Sequence, residues 1–203
     1  MRFLRRLLGG KRRKRVETPA ISGIKLVRLS SSSNVNPEVV SKGLLLEEYM
    51  VGPCRVRIFE YEGRGYYIVD EPPLSELEVK AYMEAMEALY FSTKPELLSI
   101  ELERVIDDVL DAIFKRMWVE GVSYEKVKYY VVRDSVGYGP LDVLIRDPRI
   151  EDISAEGVGR PIRVFHRDYS YLDWLVTNIV FKRDEDIDNL VLLLAHKSKK
   201  HIS

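Results

Sequence analysis

Apolar residues recur at helical spacing over three consecutive stretches of the chain. Leu77, Ala81, Ala85 with Met86, and Leu89 follow Ser75 and Glu78, a reciprocal capping pair, and predict a helix over about 75–91. Pro95 stands in the first turn of a second helix, whose Leu98, Leu102, Val105, Ile106, Val109, Leu110, Ile113 and Met117 trace one stripe until Gly121 stops it. Ser123 caps a third, Tyr124 to Val136, with Val127, Tyr130 and Val131 inward and Gly137 at its end. Short connections between the three predict a small bundle.

Strand-like patterns flank this helical block. Val56, Ile58 and Phe59 sit in a polar-apolar alternation from Arg55 to Glu60, Glu62 to Gly65 supply a turn, and Tyr66 to Val69 return, predicting a β-hairpin closed off by Pro72 and Pro73. Beyond Pro140, the β-prone runs Ile150 to Ser154, Ile162 to His166 and Asn178 to Phe181 are separated by Gly157, Gly159, Pro161 and an aromatic connection with Tyr169, Tyr171 and Trp174. They predict a small meander. A last helix starts near Asp184, presents Ile187, Leu190, Val191 and Leu194, and ends in Lys197, Lys199, Lys200 and His201, cations that suit a helix C-terminus. The expected fold class is α+β: a β-hairpin, a three-helix bundle, then a small β-meander packed with a C-terminal helix.

Charge adds a third region. The 203 residues are formally neutral and 46% apolar, enough to bury a core. Residues 1–15, however, hold eight cations (Arg2, Arg5, Arg6, Lys11, Arg12, Arg13, Lys14, Arg15) and no acid, leaving 24 basic against 32 acidic side chains beyond them, a formal −8. Pro19, Gly23, Ser30 to Ser33, Pro37 and Gly43 then read as a flexible linker. The expected organisation is a basic arm and linker over 1–43, hairpin plus bundle over 44–138, and a small α/β subdomain over 139–203, with the stop at Ser203 on a domain boundary or just short of one.

Arg5 and Arg6 interrupt the apolar pairs Phe3-Leu4 and Leu7-Leu8, so the arm lacks the continuous apolar region of an export signal. Its cations would be drawn to an anionic membrane surface at about 1 kcal/mol each, while a tail with no specific partner stays open as the other reading. Nucleic acid is not expected as a partner, because the acidic body would repel a duplex. The longest strongly apolar run, Leu190 to Ala195, is far short of the ~20 residues needed to span a bilayer. Cys54 is the only cysteine, so no intramolecular disulfide forms and a reducing cytoplasm fits; His166, His196 and His201 have no partners at metal-ligand spacing.

No GxxxxGK[ST] phosphate loop occurs, so ATP turnover is not expected of these residues by themselves. Gly137 and Gly139, ahead of Pro140, read as a turn and not as a phosphate cradle. Asp147, Glu151 and Asp152 read as a solvated acidic edge and not as a metal cluster.

The segments RDSVGYGPLDVLIRDPRIEDIS (133–154), PIRVFHRDY (161–169) and TNIVF (177–181), with a final helix ending HIS, resemble the N-terminal region of archaeal type II/type IV secretion ATPases. These are cytoplasmic motors that assemble type IV pilus-like filaments, including the archaellum. The resemblance runs from about Glu47 to Ser203, and its most specific parts are GYGPLD (137–142), IEDIS (150–154) and VFHR (164–167). It implies a regulatory and oligomer-contact domain preceding a RecA-like ATPase domain in a homo-hexamer. ATP and Mg would lie in the cleft between the two halves of the full-length protein, peripheral to the inner face of the cell membrane. The implied partners are the chain's own ATPase domain, neighbouring subunits and a polytopic membrane platform protein.

The positions matching the basic strand of that family are Arg163 and Arg167. On a strand, residues four apart share a face, so both guanidinium forks could serve one polyphosphate. The other reading is a pair of surface arginines loosely matched with Asp168 or Glu156. At the level of function, a stand-alone interaction domain that recruits a membrane or filament component without touching nucleotide remains the alternative.

Overall fold

The computed structural model describes residues 37–92, 99–117 and 121–197. Short helix α1 (Pro37–Lys42) leads into β1 (Leu44–Val51), β2 (Cys54–Tyr61) and β3 (Arg64–Asp70). Three helices follow, α2 (Glu76–Ser92), α3 (Ser99–Met117) and α4 (Tyr124–Ser135). A 3-10 turn (Gly139–Leu141) and α5 (Asp142–Arg146) lead to β4 (Ile150–Ser154), β5 (Pro161–His166), a second 3-10 segment (Arg167–Leu172), β6 (Trp174–Val180) and α6 (Asp184–Lys197). The α+β class read from the sequence is the fold observed.

The helical block follows its apolar stripes. Ala81, Ala85 and Leu89 of α2, Ile106, Val109, Leu110 and Ile113 of α3, and Val127 and Val131 of α4 form one buried cluster. Its ends are tied by polar caps. Glu78 accepts the Ser75 amide (2.7 Å) while Ser75 Oγ accepts the Glu78 amide (3.3 Å), the reciprocal pair expected at this start. The other Glu78 oxygen takes the amide of Ser123 (2.8 Å), whose own hydroxyl accepts from the Lys126 amide (3.3 Å), so a single carboxylate secures the starts of two helices. Pro95 lies outside the described residues.

Strands from both ends of the chain share one sheet, ordered β1-β2-β3-β6-β5-β4. Adjacent strands run antiparallel except at the join of β3 to β6, which is parallel and spans Tyr66↔Val176 and Tyr67↔Thr177. The boundary drawn at 138/139 therefore passes through a single sheet. An isolated hairpin is marginal in water, and β3 would otherwise be a bare edge. At the join, the Asn178 side chain replaces a backbone rung: its Oδ1 accepts the Val69 amide (2.9 Å) and its Nδ2 donates to the Val69 carbonyl (2.8 Å). Gly65 allows the close approach, because a Cβ there would lie 2.0 Å from the Leu175 side chain.

Three details differ from the sequence reading. LLLEEYMV forms β1, with a bulge between Leu45 and Glu47 that breaks its alternation. Within the stretch read as linker, Pro37–Lys42 is helical and buries Val39 against Phe59 and Ile68. Trp174 belongs to β6 rather than to the connection before it. The second core lies under one face of the sheet, where Val56, Ile58, Tyr67, Ile162, Val164 and Leu175 meet Leu141, Leu144 and Leu190. Of the apolar residues expected on α6, Ile187 and Leu190 pack on this core, whereas Val191 (45%) and Leu194 (40%) remain exposed.

Candidate functional site

The sheet curls until its two edge regions meet through side chains. Glu47 and Tyr49 come from β1, at one edge; Asp147 and Arg149 precede β4, at the other. Tyr49 and Tyr67 both donate to Asp147 Oδ2 (2.6 and 2.8 Å), and the Arg149 amide donates to Asp147 Oδ1 (2.9 Å). Arg149 donates to Glu47 (2.9 Å), stacks over the Tyr49 ring at 3.4 Å, and Tyr169 donates to the other Glu47 oxygen (2.9 Å). Asp147, read from sequence as part of a solvated edge, is thus 3% exposed inside this seam.

His166 completes the seam. Alternation along β5 turns Ile162, Val164 and His166 to the core, and the ring is fully buried. Its Nδ1 accepts the Asp168 amide (3.2 Å) and its Nε2 lies 3.3 Å from the Tyr49 hydroxyl. The Tyr49 proton goes to Asp147, so Tyr49 accepts from Nε2–H; these partners fix the neutral Nε2–H tautomer. Burial, reinforced by nearby Arg149, holds the His166 pKa below its usual 6.5 despite the opposing Asp147 carboxylate. Burial and the Asp147 hydrogen bond raise the Tyr49 pKa. Burial disfavours ionised Glu47, but the Arg149 and Tyr169 hydrogen bonds outweigh it and lower the pKa.

Arg163 and Arg167 have separate surroundings. Arg163 lies on β5 and pairs with Glu156. The strand ends at His166, so Arg167 has already entered the 3-10 segment, where its Nε donates to Glu151 (3.0 Å). The shared-strand-face argument therefore holds for Arg163 alone. Both side chains are accessible, at 39% and 62%, and each is held by its own carboxylate. Arg133 is the contrasting case: 6% exposed, it is gripped by both Asp134 oxygens (2.7 and 2.9 Å) and by Glu71 (2.5 Å). The eight cations of the basic arm lie outside the described residues.

GYGPLD forms a turn in which the amides of Gly137 and Tyr138 are already engaged. Gly137 donates to the Val132 carbonyl (2.8 Å) and Tyr138 donates to Asp142 Oδ1 (3.2 Å). A Cβ at Gly137 would meet the Arg133 carbonyl at 2.6 Å and Asp142 at 2.8 Å, and Gly139 takes φ +57°. Beside this turn, a groove of about 380 Å³ runs between α4, the β1–β2 turn and α5. Its cations Lys126, Lys128, Arg133 and Arg146 are matched by Glu78, Asp107, Asp134 and Asp142, and the Cys54 thiol beside them is pushed up to about 11 by burial.

No family model matches the chain. Among curated proteins, uncharacterized protein MJ1288 of Methanocaldococcus jannaschii is 34% identical over 142 residues, which cover 68% of this chain and 55% of that protein. Uncharacterized protein MJ0781 of the same organism is 23% identical over 147 residues, 61% of this chain and 20% of that protein. The chain thus spans about half the length of the first and a fifth of the second. No helix among the described residues is long and apolar enough to cross a membrane.

No local pattern along the chain announces the seam as a whole. One signal was present: in PIRVFH, His166 has the parity of Ile162 and Val164, a polar ring on an otherwise apolar face. Its partners Tyr49 and Asp147 stand far away in sequence, and no local pattern links them.

Proposed function

We propose that the chain is the regulatory and subunit-contact part of a hexameric secretion ATPase that drives assembly of a pilus-like filament or protein export. In this role it closes over ATP and Mg held by an ATPase domain of the same protein or a neighbour. The observation that carries the reading is the exchangeable state of Arg163 and Arg167. Each is an accessible guanidinium whose present partner is a solvent-accessible carboxylate, and such a pair costs little to open. A phosphate can take the place of Glu156 or Glu151 and gain a charge-assisted fork. Arg133, locked in a buried network, has no such freedom.

The motifs of the resemblance also meet in space, since IEDIS and the strand of VFHR pair as β4 and β5. The match covers only 20% of MJ0781, a length that leaves room for a separate catalytic half, whereas the 55% covered in MJ1288 leaves much less. Differential contact with ATP would favour the closed arrangement, and loss of the γ-phosphate would release it. The arm would hold the assembly against the inner face of the membrane, beside a platform protein.

The test is ATP turnover by the full-length gene product. Arg163→Ala and Arg167→Ala should each lower it about 100-fold while the fold persists. Unchanged turnover in both variants removes the nucleotide role. The alternative, an interaction domain that never meets nucleotide, draws on the exposed Leu44 (64%), Leu45 (47%) and Met50 (60%) of edge strand β1. It predicts that charging these positions abolishes filament assembly with turnover intact.

A further inference from the structure

We infer that His166 is a positioning residue for Arg167: through Nδ1 it fixes the backbone turn from which the guanidinium is offered to phosphate. This rests on the proposed phosphate contact of Arg167. Two successive amides are anchored at this point, the first as a further rung of the β4–β5 pairing and the second outside it. The Arg167 amide donates to the Arg149 carbonyl (2.9 Å), and the Asp168 amide donates to His166 Nδ1 (3.2 Å). Arg167 is therefore launched between two anchored amides, although its own side chain reaches into solvent.

The anchor is rigid for reasons visible around the ring. His166 is fully buried, packs at a tilt against Tyr67 (6.3 Å between centroids) and Tyr169 (5.1 Å), and engages Tyr49 through Nε2. Rotation would forfeit two hydrogen bonds and open the packing. The charged and titratable groups around the ring are Glu47 and Tyr49 from β1, Tyr67 from β3, Asp147 and Arg149 from the loop before β4, and Asp168 and Tyr169 from the 3-10 segment. A proton added at Nδ1 removes the acceptor that holds the Asp168 amide. The same event frees the turn carrying Arg167, so phosphate contact by this arginine becomes sensitive to acid.

Two substitutions separate this role from simple burial. Asn at 166 places an amide oxygen near Nδ1 and can accept from Asp168. Gln places its amide near Nε2, serves Tyr49, and leaves the Asp168 amide without its acceptor. In the full-length gene product, Arg167→Ala should lower ATP turnover about 100-fold, His166→Gln should approach the same loss, and the Arg167→Ala/His166→Gln pair should be no worse than Arg167→Ala. His166→Asn should retain most activity and lose the decline in turnover on the acid side that is expected of the unsubstituted protein. Melting temperatures identify any variant that fails to fold, and the acid-limb comparison of His166→Asn with the parent then still decides. Equal activity of the Gln and Asn variants, additive losses in the double variant, or an acid limb that survives His166→Asn would each overturn the positioning role while Arg167→Ala remains impaired. An Arg167→Ala variant with full turnover would instead overturn the phosphate contact, and the purpose assigned to His166 with it.

Discussion

The helical block and the seam of the sheet are both shut off from water, but by different means. Between α2, α3 and α4 the interior is aliphatic, and charged pairs such as Lys128–Asp107 (2.6 Å) stay on the rim. At the seam the interior itself is polar, with Asp147 serving two tyrosines and a backbone amide. Aliphatic contacts are numerous, small and blind to pH, so such a region loses stability in proportion to the atoms removed. A buried hydrogen-bonded network strands the remaining partners when one member goes, and it responds to protons. The seam therefore suits positioning, and the bundle suits bulk stability.

The largest effect is expected of Arg133→Ala, because Arg133 ties α4 of the helical block to Glu71 just beyond β3 of the sheet. Removing the cation from between two carboxylates should cost about 4 kcal/mol in urea denaturation; a loss under about 1 kcal/mol would mean the network is dispensable. Leu110→Ala tests the aliphatic side alone and should cost about 3 kcal/mol, equally at pH 5.5 and 7.5. Asp147→Asn tests the seam and should cost about 2 kcal/mol, since both tyrosine hydroxyls lose a charged acceptor and the single amide oxygen cannot also serve the Arg149 amide.

The pH dependence then sets the two regions apart. The unfolded chain binds a proton on His166 near 6.5, whereas the folded chain resists it. The contribution of His166 is thus complete above about pH 6.5 and declines as the pH falls below it. Melting curves of His166→Asn should lack this part of the acid decline, while those of Leu110→Ala should keep it. The smallest effect expected is Ser123→Ala, about 1 kcal/mol for the lost cap of α4, detectable as faster amide exchange in its first turn.

What was legible in the sequence followed from local rules. The capping pair Ser75/Glu78, the stripe from Val105 to Ile113 and the Ser123 cap each need only residues within one helix, and each appears as read. The turn at Gly137 and Gly139 was legible for the same reason. β1 was harder, because the bulge between Leu45 and Glu47 spoils its period. The joining of β3 to β6 was hidden because nothing near Tyr66 encodes Val176. Arg167 shows how a local rule can mislead: four-residue parity on a strand assumes that the strand continues, and His166 ends it by capturing the Asp168 amide.

The narrow parallel join of β3 to β6 has a consequence for biosynthesis. A ribosome that has delivered the first three strands must still add about a hundred residues before the strand that covers β3 emerges. During that interval Tyr66 and Tyr67 border an unsatisfied row of peptide groups, open to capture by another nascent chain. Gly65 leaves that margin without side-chain cover, so the snug fit that later admits Leu175 also makes the newborn chain dependent on timely completion or on a chaperone.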